Sequence, residues 1–186
     1  MRTLLIGGAR SGKSALALRW SNERSSDVCT LVTGSESDPE MAARIATHRR
    51  ERPVHWRVRE EPVCLGRALR EEKYGLVLVD CLTLWISNCL WPPGAEAADH
   101  VAWHRERDDF LAALSARAAD VIIVTNEVGT GIVPTNAAAR IFRDEQGWLN
   151  QAVAAVCDEV FFVTAGLSLC LKSSPPAPAH TTKPPR

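Results

Sequence analysis

The sequence predicts an α/β domain of mainly parallel sheet flanked by helices, ending in a strand hairpin. Short runs rich in branched aliphatic residues recur along the chain, as expected of strands buried on both faces. Segments with apolar residues at helical spacing fall between most of these runs. Strands alternating with helices imply crossover connections and hence a parallel sheet.

Thr3–Ile6 is the first strand run, and a helical pattern over Ser14–Glu23 follows it. Val28–Thr33 is the second strand. Ser37 to about Arg50 reads as a helix, because Ser37-Asp38-Pro39-Glu40 fits a capping box with proline in the first turn. Leu76–Asp80 is the next strand, and Trp91-Pro92-Pro93-Gly94 breaks the pattern as a loop. Ala102–Ala119 carries Trp103, Phe110, Leu111 and Leu114 at helical spacing, and Val121–Thr125 is again a strand. Thr135 to about Val156 is a long, Ala-rich helical stretch with Gly147, a weak helix former, inside it. Glu159–Thr164 and Leu167–Leu171, joined by Ala165-Gly166, predict a terminal hairpin. Residues 173–186 are rich in proline and nearly devoid of apolar side chains. Such a segment buries too little surface to offset its ordering entropy, so a folded domain over 1–172 with a disordered tail is expected.

Composition narrows the function. Lys plus Arg is 22 and Asp plus Glu is 22, a formal net charge of +0. General polyanion binding needs excess positive charge, so no nucleic-acid partner is expected. No apolar stretch approaches the roughly 20 residues of a membrane span, and Leu4-Leu5-Ile6 is too short for a signal-peptide core. A cytoplasmic protein is expected. Cys29, Cys64, Cys81, Cys89, Cys157 and Cys170 form no CxxC pair, and several lie in apolar runs. They read as small buried hydrophobes in a reducing compartment.

Gly7-Gly8-Ala9-Arg10-Ser11-Gly12-Lys13-Ser14 matches the phosphate-loop pattern GxxxxGK[ST], between an apolar strand and a helix start. Glycines let the backbone turn its N–H groups toward a phosphate, and the helix N-terminus adds positive dipole. Lys13 is placed to reach β and γ phosphates, and the Ser14 hydroxyl to ligate Mg²⁺. Asp80, closing the strand Leu76–Asp80, is the candidate second metal ligand, although Asp often ends a strand for turn reasons alone. The loops at strand carboxyl ends should form one crevice containing Thr33, Asp80, Asn126 and Glu127.

Met41, Ile45 and His48 stand at i, i+4 and i+7, so they share one helical face. Arg44, Arg49, Arg50 and Arg52 crowd around the imidazole. A lone histidine on such a face is usually structural, and the arginines equally suit a solvated helix end. Beside a triphosphate site in a chain of balanced charge, the cluster also suits attack on phosphorus. His48 would then be the nucleophile and the arginines would stabilise phosphate oxygens. His55, His100, His104 and His180 have no comparable setting, and His100 and His104 flank a surface-like helix start.

The chain resembles the bifunctional adenosylcobinamide kinase / adenosylcobinamide-phosphate guanylyltransferase family of cobalamin biosynthesis. The resemblance rests on Gly7–Ser14, Glu40–Ile45 with His48 and Arg52-Pro53, Trp56 and Glu60, and Asp80–Thr83 with Asn88. It continues through Val124–Gly129, Gly131–Pro134, Phe142–Asp144 and Asn150-Gln151, covering residues 3–172. It implies a P-loop fold, commonly assembled as a trimer, and two activities. One phosphorylates the aminopropanol hydroxyl of adenosylcobinamide with ATP or GTP. The other transfers GMP from GTP to that phosphate, giving adenosylcobinamide-GDP and pyrophosphate. It also implies guanylylation of His48, with nucleotide contacts at Gly7, Gly8, Ala9, Arg10, Ser11, Gly12, Lys13 and Ser14. Further contacts would fall on Val32, Thr33, Gly34, Arg49, Arg50, Glu51, Arg52, Glu60 and Asp80. The chain departs from the pattern at Asp80, where some members have Glu, and at Thr135, where an acidic residue is expected. The alternatives are a P-loop protein for another small molecule and a GTP switch, but the Asn-Lys-x-Asp guanine signature is missing.

Overall fold

The computed structural model describes residues 1–34 and 52–173. Its strands are β1 Arg2–Gly7, β2 Val28–Val32, β3 Arg57–Glu60, β4 Leu76–Asp80, β5 Asp120–Asn126, β6 Glu159–Thr164 and β7 Leu167–Lys172. They form one sheet in the order β3-β2-β4-β5-β1-β6-β7. Every pairing is parallel except the β6–β7 hairpin. The helices are α1 Lys13–Arg24, α2 Leu65–Glu71, α3 Leu82–Leu90, α4 His100–Ala116 and α5 Ala137–Val156.

Apolar runs become central strands because both sheet faces are covered. Leu4, Val77, Val79, Val121 and Ile123 point into a core shared with Trp85, Trp103 and Phe110. Their strand neighbours Leu5, Leu76, Leu78, Ile122 and Val124 point the other way, onto Leu16 and Ala17 of α1 and onto Trp56. In the first core Trp85 meets Trp103 and Phe110 edge-on, each at 5.1 Å between ring centres, the arrangement favoured by ring quadrupoles.

Three elements escape the sequence patterns. β3 is a four-residue, charged edge strand, Arg-Val-Arg-Glu, held by its ladder to β2. Arg59 also bonds Glu71 and Glu72 at the end of α2. α2 spans only seven residues. α3 is apolar over much of its surface, with Leu82, Trp85, Ile86, Cys89 and Leu90 buried, which leaves little contrast for a periodicity test.

Two helix boundaries move for local reasons. α4 begins at His100 because the Asp99 side chain caps it, accepting from the Ala102 N–H at 2.9 Å. It stops at Ala116 rather than Ala119 because Arg117 turns extended. The Arg117 guanidinium donates to the carbonyls of Leu69, Glu72 and Tyr74 at 2.8–3.0 Å, satisfying the end of α2. α5 runs unbroken through Gly147, in keeping with the helical stretch read from Thr135 to about Val156. A Cβ added at Gly147 meets no heavy atom within 4 Å. Gly147→Ala should therefore stabilise the fold by about 0.5–1 kcal/mol through lost unfolded-state entropy. The check is thermal melting, and a lower Tm would contradict it.

All six cysteines are free thiols. Burial pushes Cys29, Cys89 and Cys157 up to about 12, consistent with inert core thiols, and the half-buried Cys81 up to about 11. Cys170, exposed on β7, and the half-buried Cys64 and Cys81 correct the uniform reading of the six as buried. The helix expected from Ser37 and the tail after Ser173 lie outside the described residues.

Candidate active site

Parallel strands put their carboxyl ends on one edge, and the loops leaving β1, β2, β4 and β5 emerge there together. Register makes this specific. Val32 stands beside both Glu60 and Asp80, and Asp80 beside Val124. Gly7 stands beside Asn126. Glu60, Val32 and Asp80, far apart in sequence, thus occupy one row.

The phosphate loop Gly7–Gly12 links β1 to α1. Arg10 at φ 58° and Gly12 at φ 95° take left-handed backbone, the geometry that turns successive N–H groups toward an anion. Gly12 tolerates this without a Cβ penalty, and a Cβ there would stand 3.1 Å from Gly166 Cα. A Cβ at Gly7 would collide with the Val163 carbonyl of β6. The hairpin therefore leans on the loop. Its tight turn has Ala165 and Gly166 at φ 51° and 77°, and the Gly166 N–H donates to the Ser11 carbonyl at 2.9 Å. No sequence pattern signals this support.

Lys13 opens α1, and its Nζ donates to the Gly8 carbonyl at 2.9 Å. Burial pushes its ammonium down from the usual lysine range, opposed by the charges of Cys81 and Asp80. Asp80 Oδ2 lies 3.3 Å from a guanidinium nitrogen of Arg52, whose side chain is 3% exposed. Lys13, Asp80 and Arg52 thus form one alternating set of charges. Arg52 Nε and Ser11 Oγ are buried without a hydrogen-bond partner among the described residues, so the loop region holds polar groups a ligand would satisfy. Ser14, at the start of α1, and Asp80 offer a hydroxyl and a carboxylate, hard oxygen donors of the kind Mg²⁺ takes.

Around this centre side chains fasten the loops. The Thr33 hydroxyl donates to the Cys81 carbonyl at 2.6 Å and accepts from the Cys81 N–H at 3.1 Å. Asn88 Nδ2 donates to the carbonyls of Thr33 and Pro62 at 2.8 and 3.1 Å, tying β2 to the loop after β3. The Asn126 N–H donates to Thr83 Oγ1 at 2.9 Å, and the Glu127 N–H to the Gly7 carbonyl at 3.1 Å. Thr33, Asp80, Asn126 and Glu127 therefore share the expected edge. The Glu127 carboxylate itself accepts from the Gly129 N–H.

A buried polar knot lies beneath Asn126. Asn150 Oδ1 accepts from the Thr125 hydroxyl at 2.8 Å and from Gln146 Nε2 at 3.0 Å, while Asn150 Nδ2 donates to the Asn126 carbonyl at 3.0 Å. Asn150→Ala removes all three bonds and should cost roughly 2 kcal/mol, because the groups left behind are desolvated. Denaturant unfolding measures this, and unchanged stability would show the knot to be dispensable.

Of the residues expected to act, Gly7–Ser14, Val32, Thr33, Gly34, Arg52, Glu60 and Asp80 lie along this edge, Glu60 with its side chain exposed. His48, Arg49, Arg50 and Glu51 lie outside the described residues.

Known proteins share this pattern. The family model CobU, described as cobinamide kinase / cobinamide phosphate guanyltransferase, matches residues 3–171. The chain is 44% identical to the bifunctional adenosylcobalamin biosynthesis protein CobP of Pseudomonas aeruginosa, covering 94% of this chain and 99% of that protein. It is 39% identical to the bifunctional adenosylcobalamin biosynthesis protein CobU of Salmonella typhimurium, covering 92% and 100%. Among solved structures, an ATPase of the type III secretion system of pathogenic bacteria aligns with a TM-score of 0.54 and 13% identity. That alignment covers 91% of this chain and 56% of that one, a likeness of fold.

Proposed function

The chain belongs to the cobinamide kinase / cobinamide phosphate guanyltransferase family, and from that premise we propose that one nucleotide site, built on Gly7–Ser14, serves both reactions. The protein is a bifunctional enzyme of adenosylcobalamin biosynthesis. The observation that carries the proposal is the meeting of Lys13, Asp80 and Arg52 beside the phosphate loop.

In the kinase reaction the substrate hydroxyl oxygen attacks the γ-phosphorus of ATP or GTP. The bond to the bridging oxygen breaks, the nucleoside diphosphate leaves, and the hydroxyl proton passes to solvent. The N–H groups of the loop hold the phosphates, and Lys13 neutralises charge on the β and γ groups. Burial disfavours the Lys13 cation when it stands alone, so triphosphate oxygens supply a counter-charge that this environment rewards. Mg²⁺, held by Ser14 and Asp80, would draw charge from the phosphate oxygens. Arg52 fixes the Asp80 carboxylate from the other side.

In the guanylyl transfer the His48 imidazole attacks the α-phosphorus of GTP and pyrophosphate leaves. A phosphate oxygen of adenosylcobinamide phosphate then attacks the same phosphorus and releases His48. Two displacements by good nucleophiles replace one slow attack between anions. His48 stands four positions before Arg52, with three residues between them, a reach of at most about 14 Å. Arg52 is anchored on Asp80, which supports access of His48 to this nucleotide. Arg49, Arg50 and Glu51 belong to the same short tether.

Self-association, as a trimer in keeping with the resemblance, draws support from β7. This edge strand exposes Leu167, Leu169 and Leu171 by 59–73%, and natural edge strands rarely leave such a row uncovered. No helix among the described residues is long and apolar enough to cross a membrane, and nucleoside triphosphate substrates suit a cytoplasmic enzyme.

The test is turnover of adenosylcobinamide with ATP and with GTP, products resolved. Adenosylcobinamide phosphate should form with either nucleotide, and adenosylcobinamide-GDP with GTP alone. Absence of any phosphorylated corrinoid would overturn the proposal.

A further inference from the structure

Away from the phosphate loop, two histidines of α4 converge on one carboxylate of α5. His100 Nδ1 lies 3.2 Å and His104 Nε2 3.5 Å from the same oxygen, Glu145 Oε1. The three ligand atoms all fall within 4.8 Å of one another. We propose that His100, His104 and Glu145 form a binding site for a divalent transition metal of the zinc class, clipping the start of α4 to α5.

The chemistry of the set favours such an ion. Two neutral imidazoles and one carboxylate suit Zn²⁺ and its neighbours, whereas Mg²⁺ prefers oxygen ligands alone. Bonds of about 2.0–2.1 Å at tetrahedral angles put donor atoms about 3.3 Å apart. The two nitrogen–oxygen separations, 3.2 and 3.5 Å, bracket that value. The nitrogen pair closes by rotation of rings that are 44% and 46% exposed.

The surroundings preorganise the ligands. His100 and His104 stand at i and i+4, one above the other on the helix. The near ring uses Nδ1 and the far ring Nε2, so both nitrogens reach one point. Asp99 caps this turn and fixes its backbone. The Glu145 side chain is only 4% exposed, and its other oxygen accepts from Trp103 Nε1 at 2.8 Å. That outer bond holds the carboxylate in one orientation, as partners of metal ligands do. Solvent reaches the site from the imidazole side, leaving the fourth position to water.

The experiment uses the full chain without a histidine tag, stripped with chelator and kept in excess Mg²⁺. Calorimetric titration with Zn²⁺ should give one equivalent bound with a micromolar or tighter Kd. The melting temperature should rise by roughly 5–10 °C at zinc a hundredfold above Kd. H100A/H104A, altered only at exposed rings, should keep its fold and lose at least a hundredfold in affinity. Co²⁺ bound to the wild-type protein should show tetrahedral ligand-field bands and no thiolate charge-transfer band. Wild-type protein without stoichiometric binding, unchanged affinity in H100A/H104A, or a thiolate band placing the ion on cysteine would each overturn the proposal.

Discussion

Lys13→Ala should reduce phosphorylation of adenosylcobinamide by roughly a thousandfold or more while the protein stays folded. The magnitude follows from removing one preorganised charge aimed at phosphate oxygens. Lys13 is well placed to show so large an effect. Its ammonium is buried at the head of α1, folded onto the Gly8 carbonyl, and influenced by Asp80. The same burial explains why the fold should survive. An ammonium penalised by desolvation stabilises the chain little, and alanine is a strong helix former. The measurements are kcat at saturating nucleotide and a melting curve on the same preparation. Near-normal turnover would remove Lys13 from the reaction.

His48→Ala should separate the two activities. Guanylyl transfer should fall by at least a thousandfold, since the route through a covalent intermediate on this imidazole closes. Phosphorylation should stay within about threefold, because Lys13 and Asp80 are untouched and His48 makes no bond in that step. A structural histidine gives another pattern: both activities fall together, along with the melting temperature. Arg52→Ala is the useful contrast. It leaves the Asp80 carboxylate in a site with one cation fewer, so both activities should suffer, transfer and phosphorylation alike.

What was legible in the sequence depended on whether the physics was local. The phosphate loop is one continuous stretch whose glycines, lysine and serine each have a stated task, so Gly7–Ser14 could be assigned at once. Asp80 was accessible because an acidic residue closes an apolar strand. The central strands were visible because burial on both faces demands branched aliphatic side chains. β3 was hidden because Arg57 and Arg59 read as surface, and pairing with β2 is what makes the segment a strand. Gly147 does not break its helix because helix propensity is weak against an amphipathic face packed over twenty residues. In the sequence Arg52 reads as part of a basic run, yet its side chain is buried on Asp80, a contact no periodicity encodes.

The same division explains His100, His104 and Glu145. The i, i+4 pair was in plain view, but the carboxylate that gives it meaning lies on another helix, more than forty positions along. Only the packing of α4 on α5 brings them together. The Thr125–Gln146–Asn150 knot likewise joins β5 to α5 across the core.

The most direct test of the shared-site mechanism uses GTP labelled at its α-phosphate, incubated with the protein and no corrinoid. Label should become covalently bound, up to one equivalent per chain, with the acid lability and base stability of a phosphoramidate. It should discharge onto added adenosylcobinamide phosphate and be absent from His48→Ala. Undiminished labelling in His48→Ala would place the nucleophile elsewhere and contradict the mechanism, as would wild-type protein that transfers GMP yet never takes up label.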